Sequence, residues 1–176
     1  IYMALREILT EPNAILREKS LNVDMVDKDL QKLMDDMLET MYAAPGIGLA
    51  AIQIGIPKRV IILDIDQKEG QKNPMFFVNP EIIEKSENRS TYEEGCLSVP
   101  GQFAEITRPE KCFVKYLDYY GQKKEIKAEG MLATCIQHEM DHLEGILFID
   151  YLSKLKRTMI VKKLSKQKKT IERIVV

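Results

Sequence analysis

The predicted fold is α+β, and three observations lead there. Apolar residues recur at helical spacing near both ends of the 176-residue sequence. Short runs rich in Val, Ile, Phe and Tyr crowd the middle instead of alternating with helices. Apolar residues make up 45% of the chain, enough for a sizeable core and too many for a disordered one.

The elements follow in order. Asp27 caps a predicted helix running to about Ala44, in which Leu30, Leu33, Met34, Met37, Leu38 and Met41 give one apolar face. These methionines read as core. Pro45 and Gly46 end the helix. Residues 40–57 carry no charge, but prolines and glycines interrupt them repeatedly, so they read as a buried loop and not a membrane span. Strands are predicted at 59–65, 75–79, 92–99, 112–117 and 124–128, with turn residues such as 118–121 between them. A second helix spans Leu132 to about Leu143, closed by Gly145. After a short apolar run at 146–149, a last helix runs from Ser153 to about Lys166, with Leu152, Leu155, Met159, Val161 and Leu164 as its apolar face. No repeat or linker marks a boundary, so residues 1–176 read as a single catalytic domain with 153–176 as a basic helical tail within it.

Charge is unevenly placed. The net charge is -1, yet residues 153–176 hold nine Lys/Arg against Glu172 alone, leaving 17 Lys/Arg and 26 Asp/Glu for residues 1–152. The body is acidic, which argues against a DNA-binding role, and the tail is basic. Three cysteines are too few for a disulfide scaffold, and no signal-peptide pattern opens the sequence given. Both lead to the expectation of a cytoplasmic protein with no membrane partner.

The sharpest motif is His138-Glu139-Met140-Asp141-His142, which contains both histidines of the chain. Residues four apart on a helix point the same way, so both imidazoles can share one metal, and Glu139 sits near enough to reach water on it. Two random histidines would fall four apart in about one chain in ninety. A catalytic site needs a third protein ligand and an open position. No histidine follows His142, Glu144 is too close and Glu172 lies in the tail, so the third ligand is expected upstream. Cys96, in Glu94-Gly95-Cys96-Leu97-Ser98, is the best candidate because Gly95 lets the backbone bend at the thiol. Cys112 reads as core. Cys135, one turn before His138, reads equally as pocket lining or as packing. Residues 46–53, Gly-Ile-Gly-Leu-Ala-Ala-Ile-Gln, lack the Lys and Ser/Thr of a phosphate loop; their small residues allow close backbone approach, and Gln53 offers a neutral amide.

Three segments in this order resemble the peptide deformylases, whose motifs have the form GxGLAAxQ, EGCLS and HExxH. The resemblance spans residues 35–145, and the basic C-terminal helix is similar to that of the bacterial type. It implies removal of the formyl group from N-formylmethionyl nascent peptides, with Fe²⁺ as native metal and Zn²⁺, Ni²⁺ or Co²⁺ able to occupy the site. It also implies mostly antiparallel sheets around a central HExxH helix. Carried over by position, Cys96, His138 and His142 are the ligands and Glu139 the acid/base. Gln53 and the Leu97 N–H face the oxyanion. Gly46, Ile47, Gly48, Glu94 and Cys135 are placed at the substrate. Two positions depart from the common pattern: Ile52 replaces a frequent Pro, and Phe103 stands where many bacterial members carry Arg. A zinc peptidase and a non-catalytic metal-stapled ribosome-binding module are the alternatives. The tail is expected to dock on the ribosome, because Lys and Arg contacts to RNA phosphates release counterions.

Overall fold

The structure, a computed structural model, describes residues 4–67 and 70–174. Helix α1 (Lys28–Ala43) starts where Asp27 accepts a hydrogen bond from the Leu30 N–H at 2.8 Å. Seven strands follow: β1 (Gly48–Ala50), β2 (Val60–Leu63), β3 (Met75–Lys85), β4 (Arg89–Cys96), β5 (Val99–Pro109), β6 (Lys111–Leu117) and β7 (Lys123–Glu129). Helix α2 (Gly130–Leu143) and helix α3 (Lys154–Ile174) close the chain. Single turns of 3-10 helix lie at Ala14–Arg17, Ala51–Ile54 and Phe148–Tyr151.

Strands β1-β2-β3-β6-β7 form one sheet and β4-β5 a separate hairpin, with antiparallel pairing throughout. The architecture is α+β with α2 at the centre. That helix packs on β1, β2 and β7 of the large sheet and on β4 and β5 of the hairpin.

Strand β2 shows why the sheet sits where it does. Val60, Ile61, Ile62 and Leu63 are all fully buried. Ile61 and Leu63 join the cluster around Ile136 and Leu143 of α2, while Val60 and Ile62 join Met34, Met37 and Met41 of α1. Period-2 alternation thus serves two helices on opposite faces, which requires a continuous apolar run. Burying each such side chain contributes about 1.5–3 kcal/mol. A third cluster joins Val99 and Ile106 of the hairpin to Leu147, Phe148, Ile149 and Leu164.

Four sequence expectations change. The predicted strand at 92–99 lies in β4 up to Cys96 but crosses the 97–98 turn, and β5, at 99–109, is not among the predicted strands. Strand β3 continues past Pro80 to Lys85. The uncharged stretch 40–57 holds the end of α1, strand β1 and a helical turn, not only loop. Helix α3 extends beyond Lys166 and buries Leu164 with Ile160 and Val161 against it, whereas Leu155 (71% exposed) and Met159 (62% exposed) lie outside its packed face. No helix among the described residues is long and apolar enough to cross a membrane.

Candidate metal centre

Two units meet at the site. The β4-β5 hairpin carries Cys96 at a point where its register shifts, between Gly95 and Cys96, so the thiol projects beside the two-residue turn 97–98. Helix α2 carries His138, Glu139 and His142, all buried. The Cys96, His138 and His142 donor atoms lie within 4.8 Å of one another. Cys96 Sγ and His142 Nε2 are 3.3 Å apart. Metal–sulfur and metal–nitrogen bonds of about 2.3 and 2.0–2.1 Å at a tetrahedral angle span an edge of about 3.5 Å, so this pair fits a shared divalent ion.

Each donor is oriented from behind. His138 Nδ1 sits 2.8 Å from Glu94 Oε2, which leaves Nε2 for the centre. Glu94 is gripped by Arg108 through two bonds of 2.6 and 3.0 Å. Arg108 Nη1 also donates to Asp141 at 2.7 Å, and the Tyr151 hydroxyl donates to the same Asp141 oxygen at 2.8 Å. Burial alone would raise the Glu94 carboxyl, but His138 and Arg108 hold it below the ordinary carboxylate range. The sequence reading sets Glu94 at the substrate. Glu94 does line the cavity, and its carboxylate is taken up by His138 and Arg108, so it also orients the His138 ring. Arg108 and Tyr151 carry no motif that would have marked them, because their partners lie far away in the chain.

Glu139 is buried and its Oε2 has no hydrogen-bond partner among the described residues. Burial pushes its carboxyl up to about 7, within the working range of an acid/base group. Its Oε1 faces β1 at Gly48, where a Cβ would overlap it and stand 2.9 Å from Glu139 Cδ; only glycine fits there. The two imidazoles diverge. Burial lowers both, but the hydrogen bonds His138 makes to Cys96 and Glu94 drive it well up, whereas burial, with His138 and Arg108 nearby, keeps His142 well below its ordinary value. The orphaned carboxylate oxygen, the convergent thiol and imidazoles and the oriented His138 are what a divalent cation requires.

Gln53 is buried at the other wall. Its Oε1 accepts from the Ala50 N–H at 2.8 Å, and its Nε2 donates to Ser98 Oγ at 3.0 Å and lies 3.5 Å from Cys96 Sγ. The acceptor end is thereby occupied and the donor end is turned toward the centre. Leu97, first residue of the 97–98 turn, directly follows the thiol. These groups border a cavity of about 430 Å³, also lined by Gly46, Ile47, Met131, Cys135 and Phe103. Burial pushes the Cys135 thiol up to about 12, so it presents a neutral, apolar surface. The structure therefore brings Gly46, Ile47, Gly48, Gln53, Glu94, Cys96, Leu97, Cys135, His138 and Glu139 to one cavity; His142 does not line it, is fully buried and lies 3.3 Å from Cys96 Sγ.

The chain matches the model of the polypeptide deformylase family over residues 5–158. It is 66% identical over 166 residues to a peptide deformylase of Pelagibacter ubique strain HTCC1062, covering 94% of this chain and 96% of that protein. The crystal structure of a peptide deformylase from Ehrlichia chaffeensis superposes with a TM-score of 0.89 at 43% identity, covering 95% of this chain and 98% of that one. The Ehrlichia chaffeensis structure in complex with actinonin gives 0.88 at 44% identity, covering 94% and 98%.

Proposed function

The chain belongs to the polypeptide deformylase family, and on that premise we propose that it removes the formyl group from the N-terminal formylmethionine of nascent polypeptides, releasing formate. One observation carries this reading: a thiol and two imidazoles converge beside a buried glutamate whose Oε2 has no hydrogen-bond partner among the described residues, against a cavity edged by β1. Cys96, His138 and His142 hold the metal. The enzyme is metal-dependent, and a soft thiolate with two imidazoles suits Fe²⁺, with Zn²⁺, Ni²⁺ or Co²⁺ as substitutes. A divalent ion there supplies Lewis acidity and makes water acidic near neutrality.

The residues of the chain perform the remaining steps. Glu139 takes a proton from the attacking water, and the new C–O bond puts negative charge on the formyl oxygen. The Gln53 amide N–H and the Leu97 N–H are placed to stabilise that charge; removing one such donor typically costs about 3 kcal/mol of barrier. Glu139 then gives the proton to the leaving nitrogen as the C–N bond breaks. One water is consumed, and a free amine and formate are produced. The backbone at Gly46 and Gly48 can pair with an extended peptide through main-chain bonds that ignore sequence. The methionine side chain fills the cavity beside Ile47 and the neutral Cys135 thiol. Residues 1–176 serve as one catalytic unit, in the cytoplasm where translation occurs.

Formate release from a formyl-Met peptide by anaerobically purified protein tests this reading. Chelation should abolish the activity, and Fe²⁺, Co²⁺ or Ni²⁺ should restore it. Full activity in metal-free protein, or cleavage of unformylated Met-Ala-Ser instead, would refute it.

The tail carries the finer part of the proposal, docking on the ribosome through RNA phosphates. Lys162, Lys166, Lys168 and Lys169 are exposed on α3. Because Leu164 is buried, truncation belongs after Ser165 and not earlier. Removing the residues after Ser165 should weaken co-sedimentation with ribosomes and flatten its salt dependence, while hydrolysis of a short peptide continues. Equal pelleting of cut and intact protein would exclude docking.

A further inference from the structure

Strand β7 (Lys123–Glu129) ends the five-stranded sheet and is hydrogen-bonded to β6 alone. No other backbone hydrogen bond among the described residues reaches it, so its outward N–H and C=O groups form an open edge. Its sequence is Lys-Lys-Glu-Ile-Lys-Ala-Glu, and successive side chains point to opposite faces. Ala128 is buried and Ile126 half-buried in the core cluster shared with α2, while Lys123, Glu125, Lys127 and Glu129 stand exposed on the other face. On that exposed face β6 already supplies partners. Lys111 lies 3.1 Å from Glu129, Lys115 lies 3.4 Å from Glu125, and the Lys127 ammonium sits 5.9 Å from the centre of the Phe113 ring.

An edge of like charges repels a second strand. Strand β7 instead alternates its signs, and in a way that complements itself. An antiparallel copy centred on Ile126 sets Lys123 against Glu129 and Glu125 against Lys127, twice each by symmetry. Each glutamate then lies between a lysine of its own β6 and a lysine of the other copy. On the core face the two Ile126 side chains meet, extending the row that Ile126 makes with Val114, its in-register neighbour on β6. Other registers fail. A slip of two residues opposes Lys123 with Lys127, or Glu125 with Glu129. A slip of one residue turns the apolar face of the copy outward.

We propose that β7 is the interface of a homodimer, in which two copies join edge to edge and merge their five-stranded sheets into one. The charge pattern selects the occupant, because a second copy carries the complementary sequence in one register. None of the residues of β7 borders the catalytic cavity, so both cavities stay open and the dimer is independent of the chemistry assigned to them. Seven residues a side make a small interface of the transient class. Association therefore rises with concentration and, being largely ionic, weakens with salt.

Sedimentation velocity on the full-length metal-loaded protein tests this, over a concentration series at low salt. The mass should rise toward two chains and fall back as salt is added. Lys123→Glu with Lys127→Glu makes the exposed face of the edge wholly acidic; Glu125→Lys with Glu129→Lys makes it wholly basic. Each double variant alone should associate at least about tenfold more weakly than wild type, since all four cross-strand pairs become repulsive. An equimolar mixture of the two should recover a one-to-one complex, because every pair is again opposite in sign. A melting temperature near wild type shows that each variant is folded. Lys162→Glu with Lys168→Glu on α3 matches the acidic variant in net charge and should dimerise like wild type. A wild-type chain that stays monomeric at the highest concentration, a mixture that does not associate, or an α3 control that loses dimerisation would overturn the proposal.

Discussion

Gly48→Ala places one methyl against the side chain assigned as acid/base, and its effect can be worked out from the packing. The added carbon overlaps Glu139 Oε1 and stands 2.9 Å from both Glu139 Cδ and Leu63 Cδ2. Carbon atoms in contact lie about 3.5–4.0 Å apart, so roughly 0.6–1 Å must be recovered. Strand β1 has little freedom to recede, because Gly48 is paired in register with Leu63 of the fully buried β2. The carboxylate, with an unpartnered oxygen, is the group that yields. Displacing a catalytic group by about 1 Å costs on the order of 10²-fold in rate. Alanine is otherwise acceptable: Gly48 is not among the glycines with positive φ, and alanine is better than glycine in a strand by about 0.5–1 kcal/mol. We therefore expect kcat for formyl-Met-Ala-Ser to fall about 100-fold with one metal per chain retained and melting temperature little changed. Formate release, metal analysis and thermal unfolding on one preparation decide it. Turnover within about threefold of wild type would refute the assigned geometry of Glu139, and metal loss in proportion to activity would move the effect from the base to the centre.

Two further outcomes can be stated, one at the site and one on the buried face of α1. Glu139→Ala should retain the metal, since the ligands are elsewhere, while turnover falls ~10²–10⁴-fold; a variant that loses metal but regains rate on reloading would contradict the role. Asp36 is fully buried and accepts from the Ala4 N–H at 2.9 Å, from Arg6 at 2.7 and 3.1 Å and from Lys32 at 3.2 and 3.3 Å. Burial alone would raise its carboxyl, but these donors outweigh burial and hold it below its ordinary value. A depressed folded-state pKa stabilises above the unfolded value of about 3.9 and is lost as pH falls through the folded one. Asp36→Asn should cost about 2 kcal/mol at pH 7 in urea unfolding, a figure kept low because Arg6 and Lys32 are partly exposed, and the gap to wild type should shrink below pH ~4. A gap that is unchanged at pH 3 would contradict this.

What the sequence made legible was whatever one element decides alone. The periodicity of α1, the four apolar residues of β2 and the i, i+4 histidines of α2 each report a local spacing, and each element lies where that spacing predicts. The misses share a different cause. Strand β5 contains Pro100, Gly101 and Pro109, which read as breaks, and one of its inward positions is Arg108 rather than an apolar residue, so its period is hidden. Arg108 can be buried only because Glu94, Asp141 and Tyr151 surround it, and that is a tertiary fact. Strand β1 is three residues long, too short to show any period. Glu94 shows the same limit: its position in a motif pointed to the site, but its bonds to His138 and Arg108 depend on what stands behind it.

That supporting layer bears on how the site is assembled. Cys96 and the two histidines belong to units with separate cores, the hairpin clustered with α3 and the helix clustered with the large sheet. A metal bridging them would be the sole link if nothing else crossed the boundary. The Glu94–Arg108–Asp141–Tyr151 chain does cross it: Glu94 and Arg108 sit on neighbouring hairpin strands, and Asp141 lies on α2 between the histidines. A buried charge network is costly unless fully paired, and here the guanidinium is bidentate to one carboxylate and bonded to a second. Its return is orientation: it fixes the angle between hairpin and helix and turns the His138 ring before any ion binds. Donor positions set in this way reduce the ordering that metal binding would have to impose, so the proposed Cys96–His138–His142 centre would need no fourth protein ligand and could leave a position for water and substrate.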